Sequence, residues 1–473
     1  MTVLGAALAL ALVSAPSYAA APAPTAPPSA GQQAFRDLYR ELVETDTSVA
    51  TGSCTLLAQK IADRFRAAGF AEDQITLFRD GDFPLDGGLV VTVPGKSAKA
   101  KPMLLLGHID VVNARRIDWQ RDPFKFIEED GYFYGRGTSD MKVLDAIWID
   151  TLLRFRAEGF KPKRTIKLAL TCGEESGARM NGVQWLATYR PELLSAAFAL
   201  NEGGGGTTDG HGKVLNQAMQ IGEKAYRNFE LEALNPGGHS STPVDDNAIY
   251  DLADALQRVR ALKFPVHFND TTRTYFAKVG AARGDALGAA MARLAADPAD
   301  HVAEAAVSTD RTLNSMLRTT CVATLIEGGH ASNALPQRAR ATINCRIVPG
   351  EDTETTREAL SKAIGNPNIL INASGRIRPV AVPPALDAKI VGPAEKLVAR
   401  YYPGVPLVPA MMTGATDATY LGPLGIPTYG VPGPLGDPDG NGLHGLNERH
   451  SVASAYIARD FLHDLVKVYA AQE

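Results

Sequence analysis

Cysteine is scarce in this chain. Four occur in 473 residues, Cys54, Cys172, Cys321 and Cys345, and no two form a CxxC or similar cluster. That spacing excludes cysteine-rich zinc sites. Two readings of the cysteines stay open: disulfides, with Cys321 and Cys345 on neighbouring strands, or small buried hydrophobes. Excess positive charge is missing as well. Lys and Arg total 48 against 52 Asp and Glu, for a formal net charge of -4 and a pI of about 6.2. With no domain-scale basic stripe, nothing attracts nucleic acid or an anionic membrane surface. No internal repeat stands out, and no stretch of the mature chain reads as a transmembrane helix.

The N-terminus lacks something too. Residues 3–13, VLGAALALALV, form an apolar run too short to span a bilayer, yet no Lys or Arg precedes it. Ser17 and Ala19 supply the small residues that signal cleavage needs. Residues 1–20 therefore read as a signal peptide, and APAPTAPPSAG (21–31) as a Pro/Ala linker, disordered or extended. The expected location is a periplasm or the cell exterior, with the folded part starting near Gln32.

What remains is ample for folding. A hydrophobic share of 45% and a mean hydropathy of -0.09 describe a soluble globular protein with a large core. The length calls for two or three domains. Helical spacing appears over 33–45 and 54–69, where Leu56, Leu57, Ile61 and Phe65 recur before Gly69. GGLVVTV (87–93) and MLLLG (103–107) read as a strand pair around a polar turn. An amphipathic helix follows Asp140, then come strands at 165–172 and 196–200 with a short helix between. This alternation predicts an α/β fold with a wound sheet. From about 222 to 348 the pattern changes to alternating strands and an Ala- and Arg-rich helical stretch, an inserted α+β unit. Beyond 349 the first style returns. The expected division is a catalytic domain in two parts, 32–221 and 349–473, interrupted by 222–348.

Polar groups collect at predicted strand ends. His108 and Asp110 leave the apolar run 103–107, Glu174 and Glu175 follow strand 165–172, and Glu202 follows strand 196–200. Asp140 lies in a Gly-rich turn before a helix, and His444 in a loop before the last helix. Open α/β sheets place their chemistry outside the carboxyl ends of strands. Carboxylates grouped there repel one another unless cations hold them. Two divalent ions sharing a bridging carboxylate meet that demand and set up hydrolysis, by acidifying a water and polarising a carbonyl. The extra glutamate of the adjacent pair is then available as general base.

The stretches GHIDVV, WQRDPF, DGYFYGRGTSDMK, GEES, NEGG, PGGHSS, SNALPQRARATINCRIVPGE and LHGLNE resemble the di-zinc exopeptidase and deacylase family. That family includes glutamate carboxypeptidase, carnosine dipeptidase, aminoacylase and the Gly-Xaa carboxypeptidases. The likeness spans nearly the whole mature chain. It implies that Asp140 bridges two Zn²⁺ ions, with His108 and Glu202 completing one site and Glu175 and His444 the other. Asp110 would orient His108, and Glu174 would be the general base. His239 would stabilise the tetrahedral oxyanion, often across a dimer interface, and Asn333 and Arg346 would contact the substrate. The inserted unit would be a lid or dimerisation domain serving a homodimer. Cobalt or manganese suits such ligands as well. The remaining histidines, His211, His267, His301, His330, His450 and His463, read as structural.

Two departures stand out. Met141, Lys142 and Val143 follow Asp140 where the family usually has a DxKG pattern, and the Ala-rich stretch 265–320 is longer than in minimal members. The implied function is an exopeptidase acting on dipeptides or C-terminal residues of short peptides. An N-acyl amino acid deacylase is the alternative. A non-catalytic metal or peptide binding protein would be expected to have lost a ligand or the base, and all of them are present.

Overall fold

The computed structural model describes residues 27–175, 179–375, 379 and 383–473. The expected signal peptide and residues 21–26 of the linker lie outside this set. The fold starts slightly earlier than the linker reading allowed. Helix Ala30–Glu44 is capped by Ser29, whose side chain accepts from the Gln32 amide while the Gln32 side chain accepts from the Ser29 amide. This reciprocal box satisfies two otherwise orphaned donors and recruits the end of the tether into the helix.

The architecture is mixed α/β around one large sheet. Across it run Ile75–Phe78, Gly88–Val93, Ile166–Thr171, Met103–His108, Phe198–Asn201, Thr428–Gly430, Val214–Glu223, Gly205–Thr208 and Leu435–Gly436, with Leu407–Met412 also paired to Val214–Glu223. Met103–His108 is central and parallel to both neighbours. It does not pair with Gly88–Val93, as the polar turn suggested. Ile166–Thr171, equally apolar, inserts between them. All six residues of Met103–His108 are buried, and they alternate between two cores. Leu105 packs with Phe35, Tyr39 and Trp148 on one face. Leu104 and Leu106 pack with Val183, Leu186 and Leu421 on the other. A period of two divides such a strand between layers and leaves only its end for chemistry.

The second sheet is antiparallel, in the order Thr320–Gly328, Arg338–Ile347, Ala225–Leu234, Ile369–Ser374. Helices Ala248–Ala261 and Thr353–Ile364 share its apolar core. The expected boundary at 348 therefore falls short, because helix Thr353–Ile364 and strand Ile369–Ser374 belong to this unit. Without them, strand Ala225–Leu234 would be left as a bare edge. The Ala-rich stretch forms four helices, from Asp270–Arg283 to Arg311–Leu317, around a core of their own. Its first helix packs on strand Leu407–Met412 of the large sheet, so this stretch is not simply part of a lid. Both cysteine pairs form disulfides, Cys54–Cys172 and Cys321–Cys345. No helix among the described residues is long and apolar enough to cross a membrane.

Candidate metal centre

His108 is the last residue of the central strand and is buried. A Cβ at Gly107 would stand 2.1 Å from Asp145 Oδ1, so only glycine lets helix Lys142–Ala157 lie against this strand end. The His108 backbone amide donates to the sulfur of Met141. The departure from the family pattern after Asp140 thus has a packing role. Lys142 is wholly buried and donates to the carbonyls of Leu42 and Thr45, which ties the helix start to the first helix of the fold.

Asp140 sits in the turn that precedes this helix, and Glu448 holds the turn from inside. Glu448 Oε1 accepts from the amides of Ser139 (2.7 Å) and Asp140 (2.9 Å). Its Oε2 accepts from the Gly137 amide (3.0 Å) and from Arg136 Nη1 (2.7 Å). Sequence reasoning missed Glu448 and Arg136 as parts of the site. Both lie in stretches that the family likeness covered without assigning them a role, Arg136 in DGYFYGRGTSDMK and Glu448 in LHGLNE.

Glu174 and Glu175 follow Gly173, which has φ +93° and whose Cβ would lie 1.8 Å from the Met180 carbonyl. No other residue suits that position. Their backbone amides donate to Asp110 Oδ1 and Oδ2 at 3.3 and 3.0 Å. Asp110 thus does more than lie beside His108. His108 Nδ1 is 3.1 Å from the Asp110 carbonyl and 3.7 Å from its carboxylate. Asp110 meets the imidazole chiefly through its backbone and uses its side chain to hold the glutamate pair. Disulfide Cys54–Cys172 fastens the same segment one residue before Gly173.

Two ligand groups result. His108, Asp140 and Glu202 offer one atom each within 4.8 Å of one another, and so do Asp140, Glu175 and His444. His108 Nε2 lies 3.3 Å from Asp140 and 3.6 Å from Glu202. His444 Nε2 lies 3.0 Å from Asp140 and 2.8 Å from Glu175. His444 takes a left-handed backbone conformation, φ 56°, a strained state for a non-glycine residue that turns up at functional sites. Hydrogen bonds to the Asp140 and Glu175 carboxylates push the His444 pKa up to about 10. Burial opposes a charge on His108, but Glu202, Asp140 and Asp110 outweigh it and raise its pKa. Burial, then the charge of Asp417, raises the Glu174 carboxyl well above the usual range. Burial likewise raises Glu175 and Glu202.

The donor set fits two divalent cations. Bound cations would displace the protons that this cluster otherwise draws in, so that Asp140, Glu175 and Glu202 with the adjacent Glu174 would offer four negative charges and His108 and His444, as neutral imidazoles, would complete the shells. The lid residues are placed elsewhere. His239 is exposed on a small ribbon, paired with Ala334, and the Asn333 carbonyl accepts from the Ser240 amide. The Ser241 amide and hydroxyl bond His239 Nδ1 at 3.1 and 2.7 Å. An amide can only donate, so the imidazole proton is on Nε2, which is left as a donor. Arg346 stacks on Tyr226 in the second sheet. The ligand groups are built without these three residues. His450 is buried, as a structural histidine should be, but against Ser139, next to the site.

A paired His-carboxylate centre at the strand ends of a mixed α/β domain, joined to a smaller α+β unit, defines a dinuclear metallohydrolase. The chain belongs to the peptidase family M20/M25/M40, whose model matches residues 104–468. It is 29% identical over 387 residues to a probable carboxypeptidase S-like protein of Dictyostelium discoideum, covering 80% of this chain and 74% of that one. It is 28% identical over 385 residues to an N-fatty-acyl-amino acid synthase/hydrolase of Xenopus tropicalis, covering 79% and 74%. The M20 family metallo-carboxypeptidase of Sulfolobus solfataricus shares its fold, with a TM-score of 0.70 at 20% identity over 92% of this chain and 99% of that one.

Proposed function

We propose that this chain is an exported, zinc-dependent exopeptidase that hydrolyses dipeptides or the C-terminal amide bond of short peptides. The observation behind this reading is the pair of ligand groups sharing Asp140, with Glu174 beside them. Bound there, two divalent ions would supply Lewis acidity to an amide carbonyl and to water. Glu174 follows Glu175 directly and has its backbone held by Asp110. It takes the proton of the attacking water and returns it to the leaving amine. His239 Nε2–H would donate to the developing oxyanion, and Asn333 and Arg346 would hold the substrate backbone or carboxylate.

His239 lies on the smaller unit, and in a homodimer formed through that unit it would serve a partner's site. Strand Thr320–Gly328 is an edge strand with Val322, Leu325 and Ile326 exposed at 60, 69 and 70%. Unprotected edges of this kind pair with a second copy. Export is supported by the two disulfides, which persist in oxidising compartments.

A second reading, hydrolysis of N-acyl amino acids, is favoured by the likeness to the N-fatty-acyl-amino acid synthase/hydrolase. The two reactions share the leaving amino acid and differ in the acyl half. The test is a hydrolysis panel of dipeptides, longer peptides and N-acetyl amino acids, before and after chelation and with zinc returned. Zinc-restored release of amino acids from peptides supports the first reading, and activity on N-acyl substrates alone selects the second. Two bound metals with no turnover on any substrate would reject both.

A further inference from the structure

The four-helix stretch meets the smaller unit across a cavity of about 620 Å³. Arg260 and Lys263 line it from the end of helix Ala248–Ala261, and Asn314 and Arg318 from helix Arg311–Leu317 and the turn after it. Arg318 is 5% exposed. Its Nη1 donates to the Phe264 carbonyl at 3.0 Å, and its Nη2 to Ser308 Oγ at 3.2 Å and Glu304 Oε1 at 2.8 Å. Glu304 is the one carboxylate among the described residues of this lining, and Arg318 neutralises it. His301 Nδ1 lies 3.4 Å from the other Glu304 oxygen. The exposed side chains of Arg260 and Lys263 are in no ion pair among the described residues. In a chain with a formal charge of -4, this recess holds two uncommitted cations. Its floor is rigid as well. Lys224, which joins strands Val214–Glu223 and Ala225–Leu234, donates to the carbonyls of Ser315 and Arg318 at 2.9 and 2.8 Å and to Thr320 Oγ1 at 3.1 Å.

We propose that this cavity binds a small oxyanion carrying two or more negative charges, of phosphate or polycarboxylate chemistry, and clamps it between the smaller unit and the four-helix stretch. A concave site lined by one sign of charge focuses its field and concentrates the opposite ion. The planar fork of Arg260 can hold two oxygens at once, and the Lys263 ammonium adds a point charge with three donors. The Asn314 amide offers further donors from the opposite wall. Arg318 has its Nη2 committed to Glu304 and acts as the fixed positive floor. A singly charged ion leaves one of the two free cations unmatched, so a multiply charged ion is preferred. None of the candidate metal ligands lines this cavity, which makes it separate from the metal centre.

The experiment titrates the zinc-loaded mature chain with inorganic phosphate, succinate, tricarballylate and acetate at fixed pH and ionic strength, following the heat of binding. The expected result is saturable one-to-one binding of a multiply charged probe, at least about tenfold tighter than acetate. Tightest binding of phosphate identifies a phosphorylated ligand, and tightest binding of succinate or tricarballylate a polycarboxylate. Arg260→Ser combined with Lys263→Ser removes two exposed side chains and should weaken binding at least about tenfold. Lys99→Ser removes an exposed charge far from the cavity, in the turn at 94–102, and should change nothing. Asp140→Ala should also bind normally, which separates this site from anions held by the metals. Equal, unsaturated responses to all four probes overturn the proposal. So does full affinity in the double variant, or loss of binding in Asp140→Ala.

Discussion

Glu448 accepts the backbone amide of Asp140 at 2.9 Å, across 308 residues of sequence. The same carboxylate binds the amides of Gly137 and Ser139 and the guanidinium of Arg136. It sets the shape of the turn from which Asp140 reaches both ligand groups. Glu448→Gln puts an amide NH₂ against at least one of these donors. The expected outcome is a 10–100-fold loss of metal affinity, read by competition with a chromophoric chelator. Glu448→Ala strands Arg136, and its expected cost is about 3–5 kcal/mol of stability. Unchanged affinity in the Gln variant would reduce Glu448 to a packing residue.

Asp140 and Glu174 should separate metal binding from turnover. Asp140 belongs to both ligand groups and Glu174 to neither. Asp140→Ala should fail to retain a full complement of two metals in elemental analysis. Glu174→Gln should keep both and lose about 10²–10⁴-fold in kcat. Retained turnover in the Gln variant would assign the proton transfer to another group.

His239 offers Nε2–H to solvent in one chain. If it meets the oxyanion in a dimer, His239→Ala should lower kcat about 10²–10³-fold with little change in KM. Charge on the edge strand, as in Ile326→Glu, should yield monomers with the same kinetic defect. Monomers with full activity would remove His239 from the reaction.

Burial lowers the His450 pKa from 6.5 to about 4. The unfolded chain then binds more protons than the folded one as pH falls below 6.5. Stability that is complete above that pH is lost on descent toward 4. The full span is worth about 3 kcal/mol, of which about 2 kcal/mol is gone by pH 5. Urea unfolding in the presence of chelator, so that metal release does not contribute, should show this loss. His450→Gln should flatten it, and an equal pH slope in that variant would assign the loss to other groups.

Much of the site was legible because its ligands sit at ends of apolar runs. His108 ends one largely apolar, buried strand, and Glu175 and Glu202 come shortly after two others. Asp140 and His444 lie in Gly-rich loops, and the family likeness assigned them where periodicity is silent. The strand order was not legible. The turn at 94–102 suggested a hairpin, whereas Ile166–Thr171 separates the two strands it joins. The end of the second unit was missed for a similar reason. Ile369–Ser374 alternates only weakly, and its membership comes from pairing with Ala225–Leu234.

The sequence by itself determined which segments are apolar enough to be buried and which side chains stand at their ends, since both are local properties of hydrophobic pattern and turn chemistry. Tertiary structure alone decided that the Asp110 carboxylate holds the glutamate pair and that Glu448 cages the Asp140 turn. These relations join residues tens to hundreds of positions apart. Hydrogen bonds and packing depend on distance in space, and distance along the chain carries no record of them.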